Sequence, residues 1–180
     1  MKIIFISDIH GIKTNLDKVK EKFIKLNCDK LVVLGDIYYS YHGSIIDEEY
    51  DPEYINNFLE SFKEKLICIR GNCDSELDVE TSNFSIENGL KKITTIKNDL
   101  YITHGHIYNE SNWEKTNSIL IYGHLHKPFI KEIETNTYIN PGSISLPRTS
   151  SGPTYLFYDE DSFTIYDLED NIIAKKVIKS

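Results

Sequence analysis

Lys2-Ile3-Ile4-Phe5-Ile6-Ser7-Asp8-Ile9-His10 decides the fold of this chain, because a continuous apolar run ends on two residues that can hold a cation. Such a run suits a strand buried on both faces, as in a parallel sheet. Leu31-Val32-Val33-Leu34 and Leu66-Ile67-Cys68-Ile69 repeat the pattern ahead of Gly35-Asp36 and Gly71-Asn72. In open parallel sheets ligands gather at the carboxyl ends of strands, so Asp8, Asp36 and Asn72 are expected to converge there. Gly35 and Gly71 are expected to turn the chain sharply after their strands. Leu100-Tyr101-Ile102-Thr103 and Ile119-Leu120-Ile121-Tyr122 lead in the same way into His104 and Gly123-His124.

Helices are expected between the first strands. Leu16, Val19, Phe23 and Leu26 recur at helical spacing after Thr14-Asn15, which can cap the start. Asp51-Pro52 opens a second helix with the stripe Ile55, Phe58, Leu59 and Phe62, giving a β-α-β-α-β beginning. From Ser82 onward the pattern changes to short strands, at 84–86, 91–96, 100–103, 119–122, 129–133, 155–158, 163–166 and 172–178, with a helical turn over 112–117. No repeat, low-complexity tract or linker interrupts the chain, so 1–180 reads as a single domain.

Five of the six histidines, all but His42, lie in short motifs with Asp8, Asp36 and Asn72. Asp8-Ile9-His10 and His124-Leu125-His126 place ligands two apart, so an extended chain points both to one side. A carboxylate can bridge two cations about 3.5–4 Å apart. Asp8, His10, Asp36 and His126 are assigned to one ion, and Asp36, Asn72, His104 and His124 to the other. Two divalent ions bring four positive charges and the two carboxylates return two, which leaves room for a hydroxide and a phosphate oxygen. Water on such an ion can have its pKa lowered to about 7, so the set suits hydrolysis of a phosphate ester by a metal-bound hydroxide. Asp36, Asn72 and His106 are the catalytic candidates. His106 has two readings, as a contact to substrate or leaving group or as a hydrogen-bonded support behind the ligands.

Taken together, Asp8-Ile9-His10-Gly11, Leu34-Gly35-Asp36, Arg70-Gly71-Asn72-Cys73-Asp74, Thr103-His104-Gly105-His106, Tyr122-Gly123-His124-Leu125-His126 and Asn140-Pro141-Gly142-Ser143 resemble the blocks of the calcineurin-like metallophosphoesterases, in that family's order. The resemblance runs from Met1 to about Ile178 and extends to the small bacterial phosphodiesterases of the YfcE type. It implies an α/β fold in which a two-sheet β-sandwich is flanked by helices in four layers, α-β-β-α. It also implies Mn²⁺ at the two sites, although nitrogen and oxygen ligands admit Fe, Zn, Co or Ni as well. Many family members carry His after Gly-Asn to protonate the leaving group. This chain has Cys73 there, which argues for diesters over monoesters.

Residues around these blocks carry weaker signals. Asp74 either orients a ligand histidine or caps a turn, with the first favoured. Asn140-Pro141-Gly142-Ser143 is an ordinary turn sequence whose backbone can wall the site. Arg148 is read as a surface arginine in preference to a phosphate contact. Tyr38-Tyr39-Ser40-Tyr41-His42 suits packing or a contact between copies of the chain, which keeps a homo-oligomer open, with base stacking the other reading. Asp47-Glu48-Glu49 reads as a solvated rim.

Composition is that of an ordinary globular chain, with 40% hydrophobic and 27% charged residues. A net charge of −8 with isolated basic pairs argues against long nucleic acid and for a small phosphate ester. No apolar run has the length of a membrane span or the form of a signal peptide, so no membrane partner and a cytoplasmic location are expected. Cys28, Cys68 and Cys73 suit free thiols in a reducing compartment. The function expected is a dinuclear phosphodiesterase, ahead of a phosphomonoesterase or nucleotide pyrophosphohydrolase. A binding scaffold of the same fold is the other class, and it would have no use for all seven ligands.

Overall fold

The computed structural model describes residues 1–38 and 49–178. Strands β1 (Ile3–Ile6), β2 (Lys30–Val33) and β3 (Leu66–Cys68) run parallel, linked through helices α1 (Leu16–Lys25) and α2 (Pro52–Glu60), as the opening pattern predicts. A third helix, α3 (Glu76–Thr81), follows β3. The second half supplies β4 (Lys91–Thr94), β5 (Asp99–Thr103), β6 (Ile119–Tyr122), β7 (Phe129–Ile133), β8 (Asn136–Asn140), β9 (Thr154–Tyr158), β10 (Ser162–Asp167) and β11 (Ile172–Val177). Two mixed sheets result, ordered β11-β10-β9-β1-β2-β3 and β4-β5-β6-β8-β7.

Alternation of side chains along β1 and β2 divides the core. Ile4, Ile6, Leu31 and Val33 face the helices and meet Leu16, Val19, Phe23, Ile55 and Phe58. Ile3, Phe5, Val32 and Leu34 face the other sheet and meet Leu100, Ile102, Ile121 and Ile139. The sandwich flanked by helices is therefore as expected on the first sheet. On the second sheet the outer face, Leu120, Tyr122 and Tyr138, is covered by Trp113 and its loop. The helical turn expected over 112–117 does not form. Trp113 instead packs edge-on against Tyr101 and donates from its ring nitrogen to Ser118 Oγ at 2.7 Å.

Other local expectations change. The 84–86 segment forms no strand, and only the adjacent Glu87 makes an isolated bridge, with Ile69. Strand β8 and helix α3 have no counterpart in the sequence reading. Asn15 does not cap α1; its side-chain amide donates instead to the Ile144 carbonyl at 2.8 Å. Asp51 does cap α2, accepting from Tyr54 N at 3.0 Å behind Pro52. Tyr38 is buried, with its hydroxyl against Ser82 Oγ at 2.8 Å, so it packs and does not stack on a ligand. Glu49 is exposed, as a solvated rim requires, with its carbonyl accepting from Lys13 N and its carboxylate from Thr14. Tyr39, Ser40, Tyr41, His42, Asp47 and Glu48 lie outside the described residues.

Candidate metal centre

Strands β1, β2 and β3 in one sheet and β5, β6 and β8 in the other each run parallel, so their carboxyl ends can deliver side chains to one edge. Asp8, His10 and His126 each bring a potential ligand atom within 4.8 Å of the others, and Asp36, His104 and His124 form a second such group. Asp36 Oδ2 lies 3.3 Å from His104 Nε2 and 3.7 Å from His10 Nε2, so one carboxylate reaches both groups. Asn72 turns its Oδ1 to within 3.0 Å of His104 Nε2. All seven ligand positions read from the sequence thus meet in one place.

The backbone is shaped for this delivery. Asp8, His10, Asp36, His124 and His126 all take left-handed conformations, with φ between 52° and 67°. Such non-glycine residues cost on the order of 1–3 kcal/mol each and persist where surrounding structure enforces them. Gly35 has φ 92°, the sharp turn anticipated. Gly71 is needed for a different reason than expected. A Cβ there would stand 2.1 Å from Asp36 Oδ1, so the missing side chain lets the β3 loop press against the Asp36 carboxylate.

Proton positions show what belongs between these groups. His104 Nδ1 donates to the Leu34 carbonyl at 2.6 Å and His126 Nδ1 to the Leu146 carbonyl at 2.7 Å. Each ring therefore presents Nε2 to the cluster, the arrangement typical of metal-binding histidines. His126 Nε2 faces His10 Nε2 at 3.2 Å and Asp8 Oδ1 at 3.3 Å, and Asp8 Oδ1 is buried without a hydrogen bond. Converging lone pairs require a proton or a cation between them, and this nitrogen and oxygen set suits divalent ions.

Residues 1–162 match the calcineurin-like phosphoesterase superfamily domain. The chain belongs to that superfamily. It is 33% identical over 179 residues to the phosphodiesterase YfcE of Escherichia coli strain K12, spanning 98% of this chain and 97% of the relative. The solved structure of YfcE, a phosphoesterase from E. coli, superposes with a TM-score of 0.93 at 33% identity, over 99% of this chain and 100% of that one. Vacuolar protein sorting 29 from Cryptosporidium parvum shares the fold, with a TM-score of 0.61 at 15% identity over 98% of both chains. Divalent metal dependence follows from membership of the family.

Electrostatics in this phosphoesterase follow from burial and mutual pairing. Burial alone would raise the Asp36 pKa, but the His104 hydrogen bond and charge, with the Cys73 N–H, hold it well below the usual carboxylate range. Burial would lower His104, yet the Asp36 hydrogen bond and the charges of Asp8 and Asp36 carry it up to about 8. Because that value exceeds the unfolded reference of 6.5, charged His104 stabilises the metal-free fold fully below pH 6.5. The contribution is lost as pH rises through about 8. A ligating imidazole must be neutral, so metal uptake at pH 7 should release about one proton from His104. Calorimetric metal titrations in two buffers of different ionisation enthalpy measure this number, and no net release would refute it.

Support lies behind the ligands. Asp74 holds the backbone of two turns and hydrogen-bonds no histidine, so it follows the turn-capping reading and not the favoured one. It accepts from Asp36 N at 2.9 Å, Ile37 N at 2.7 Å and Gly71 N at 2.8 Å, fixing two ligand loops at once. Asp74→Asn would turn an amide N–H toward one of these donors. Metal affinity should fall about 10- to 100-fold while the far-ultraviolet spectrum stays native. Unchanged affinity would dismiss the role. The 140–146 segment does more than wall the site: Asn140 Nδ2 donates to the Gly123 carbonyl at 2.6 Å and Ser143 Oγ to the Asp8 carbonyl at 2.8 Å.

Two clefts flank the ligands. One, of about 620 Å³, is lined by His10, Asp36, Asn72, Cys73, His124, Leu125, His126 and residues 145–148. Arg148, read as a surface arginine, stands in its wall with its side chain exposed. The other cleft contains Arg70, Asn72, Asn88, Gly89 and His106. His106 is exposed, 5.3 Å from the His104 ring, and burial together with the charges of His104 and His124 lowers its pKa. Cys73 was read only as a departure from the family pattern. The structure brings its Sγ into a potential ligand group with His10 and Asp36. Its adjacency to Asn72 was the only available signal, and one cysteine without a partner motif does not announce a ligand.

Proposed function

We propose that this chain is a dinuclear metal-dependent phosphodiesterase that hydrolyses small phosphodiesters. One observation supports the reading: the Asp36 carboxylate lies 3.3 Å from His104 Nε2 and 3.7 Å from His10 Nε2, one nitrogen from each ligand group, beside a buried Asp8 oxygen that accepts no hydrogen bond. When bound, two divalent ions supply Lewis acidity toward phosphoryl oxygens and acidify the attacking water. Asp8, His10 and His126 would hold one ion; His104, His124 and the Asn72 carbonyl oxygen would hold the other, with Asp36 shared. His104 and His126 keep their Nε2 lone pairs on the cluster through the Leu34 and Leu146 carbonyls. Asn72 borders both clefts, so it lies where the phosphate meets its two arms.

The name of the E. coli relative supports the diester class, and Cys73 supports it independently. Burial and the Asp36 carboxylate push that thiol up to about 12, so it is neutral at pH 7 and a weak proton donor. His106 favours a second reading, as a phosphomonoesterase, because it is exposed in the cleft beside Asn72 in reach of a departing alkoxide, although the downward shift of its pKa weakens it as a proton donor. Manganese is the ion we expect, and free Cys28, Cys68 and Cys73 fit a cytoplasmic setting. The charge of −8 favours small substrates over polynucleotides. Purified protein assayed with each divalent metal against an aryl phosphodiester, an aryl monoester and small nucleotides tests the reading. Efficient monoester cleavage with no diester cleavage would replace it with the second.

A further inference from the structure

The chain has eighteen lysines and only two arginines, and both arginines border the ligand cluster. Lysine serves where a point charge is enough, whereas the guanidinium fork grips carboxylate or phosphate at two points. Arg70 is partly engaged, since its Nε donates to the Asp74 carbonyl at 2.9 Å. Arg148 differs. Its backbone N–H donates to the His126 carbonyl at 3.0 Å, which anchors it beside a ligand. Among the described residues, no carboxylate or hydrogen-bond acceptor meets its exposed guanidinium, although its charge is felt at His126.

The same cleft is walled by Leu125, Leu146 and Pro147. An apolar wall next to an unpaired cation is an unusual lining for a site that needs only to hold phosphate. Two divalent ions already bring four charges against the two of Asp8 and Asp36, more than a singly charged diester requires. A further cation in the cleft is surplus to that phosphate and matches a second anion.

Resting on the phosphodiesterase reading above, we propose that Arg148 determines specificity. The substrate is a phosphodiester with one apolar or aromatic arm, lying over Leu125, Leu146 and Pro147, that ends in a second anion held by Arg148. That anion is a carboxylate or a phosphate, the two groups that fit the guanidinium fork.

Three 4-nitrophenyl phosphodiesters test this, their other arm being phenyl, 4-carboxyphenyl or 4-phosphonophenyl. In all three the same nitrophenolate leaves and only the arm differs. With metal-loaded wild type, at least one charged arm should raise kcat/KM about 10- to 100-fold over phenyl, as expected for a charge-assisted contact, and the better arm names the anion. The ratio should collapse toward unity in Arg148→Ala and survive only partly in Arg148→Lys. Equilibrium binding of phenylphosphonate and 4-carboxyphenylphosphonate should show the same loss of selectivity without turnover. Cleavage of all three at similar rates by the wild type would overturn the proposal and leave the diester reading standing. So would an Arg148→Ala variant that slows all three in proportion, which would put the guanidinium on the scissile phosphate. No cleavage of any of them would overturn the diester reading, and the proposal with it.

Discussion

Asp36→Asn should leave a folded protein that binds at most one metal ion per chain at concentrations that fill two sites in the wild type. The carboxylate is placed for both groups, with Oδ2 at 3.3 Å from His104 and 3.7 Å from His10 while Oδ1 accepts from Cys73 N at 2.9 Å. Asparagine keeps the shape and removes the charge. The loss in kcat should therefore exceed the about 10- to 100-fold typical of an outer partner. His104, freed from the Asp36 charge, should titrate lower than in the wild type, which nuclear magnetic resonance of the metal-free proteins would follow. Elemental analysis after reconstitution with Mn²⁺ gives the stoichiometry. Full activity at saturating metal would show that Asp36 is not shared.

Cys73→His should change the class of ester preferred. A positioned general acid is typically worth about 10²–10⁴-fold when the leaving group is poor, and a neutral thiol is a far poorer proton donor near neutrality than an imidazolium. Aryl diesters depart with less help. The wild type should therefore favour an aryl diester over an alkyl monoester, and the variant should move that ratio of kcat/KM toward the monoester by about 10²-fold or more. Cys73 already lines the cleft with His10, Asp36 and His124, so an imidazole there would face the same space. Pairing the change with His106→Gln separates the two donors. If the wild type prefers the alkyl monoester and the ratio does not move, position 73 has no part in protonating the leaving group.

How much of this was legible depended on whether the signal was local. Parallel strands buried on both faces announce themselves as apolar runs, and each candidate ligand follows its run within a few residues, so the opening β-α-β-α-β and the convergence of the seven candidate ligands could be read directly. Strand β8 could not. Its residues Asn136-Thr137-Tyr138-Ile139-Asn140 are polar in large part yet all buried, because Asn136 is satisfied by Ser118 N and the Lys115 carbonyl. The hairpin before it turns at Glu134 with φ 53°, where an Asn-Gly pair would have been recognisable. Helix α3 did carry its signal, a capping box of Ser75 with Asp78, but it is short and buries no residue fully. Arg148 was weighed as a phosphate contact and set aside as a surface arginine, because its place in the cleft wall depends on how the 140–146 segment returns beneath both ligand loops.

Five ligands in left-handed turns also restrict what can replace them. Asp, Asn and His are the non-glycine residues that tolerate this conformation best, and all five positions are filled from that short alphabet. An exchange to Asn removes the carboxylate charge or the imidazole, leaves at most a neutral amide oxygen such as Asn72 offers, and keeps the loop, whereas an exchange to Val or Ile disturbs the loop as well, because a β-branched side chain resists φ near 55°. Alanine scanning here would thus confound a lost ligand with a lost turn, and Asn is the substitution that isolates the ligand.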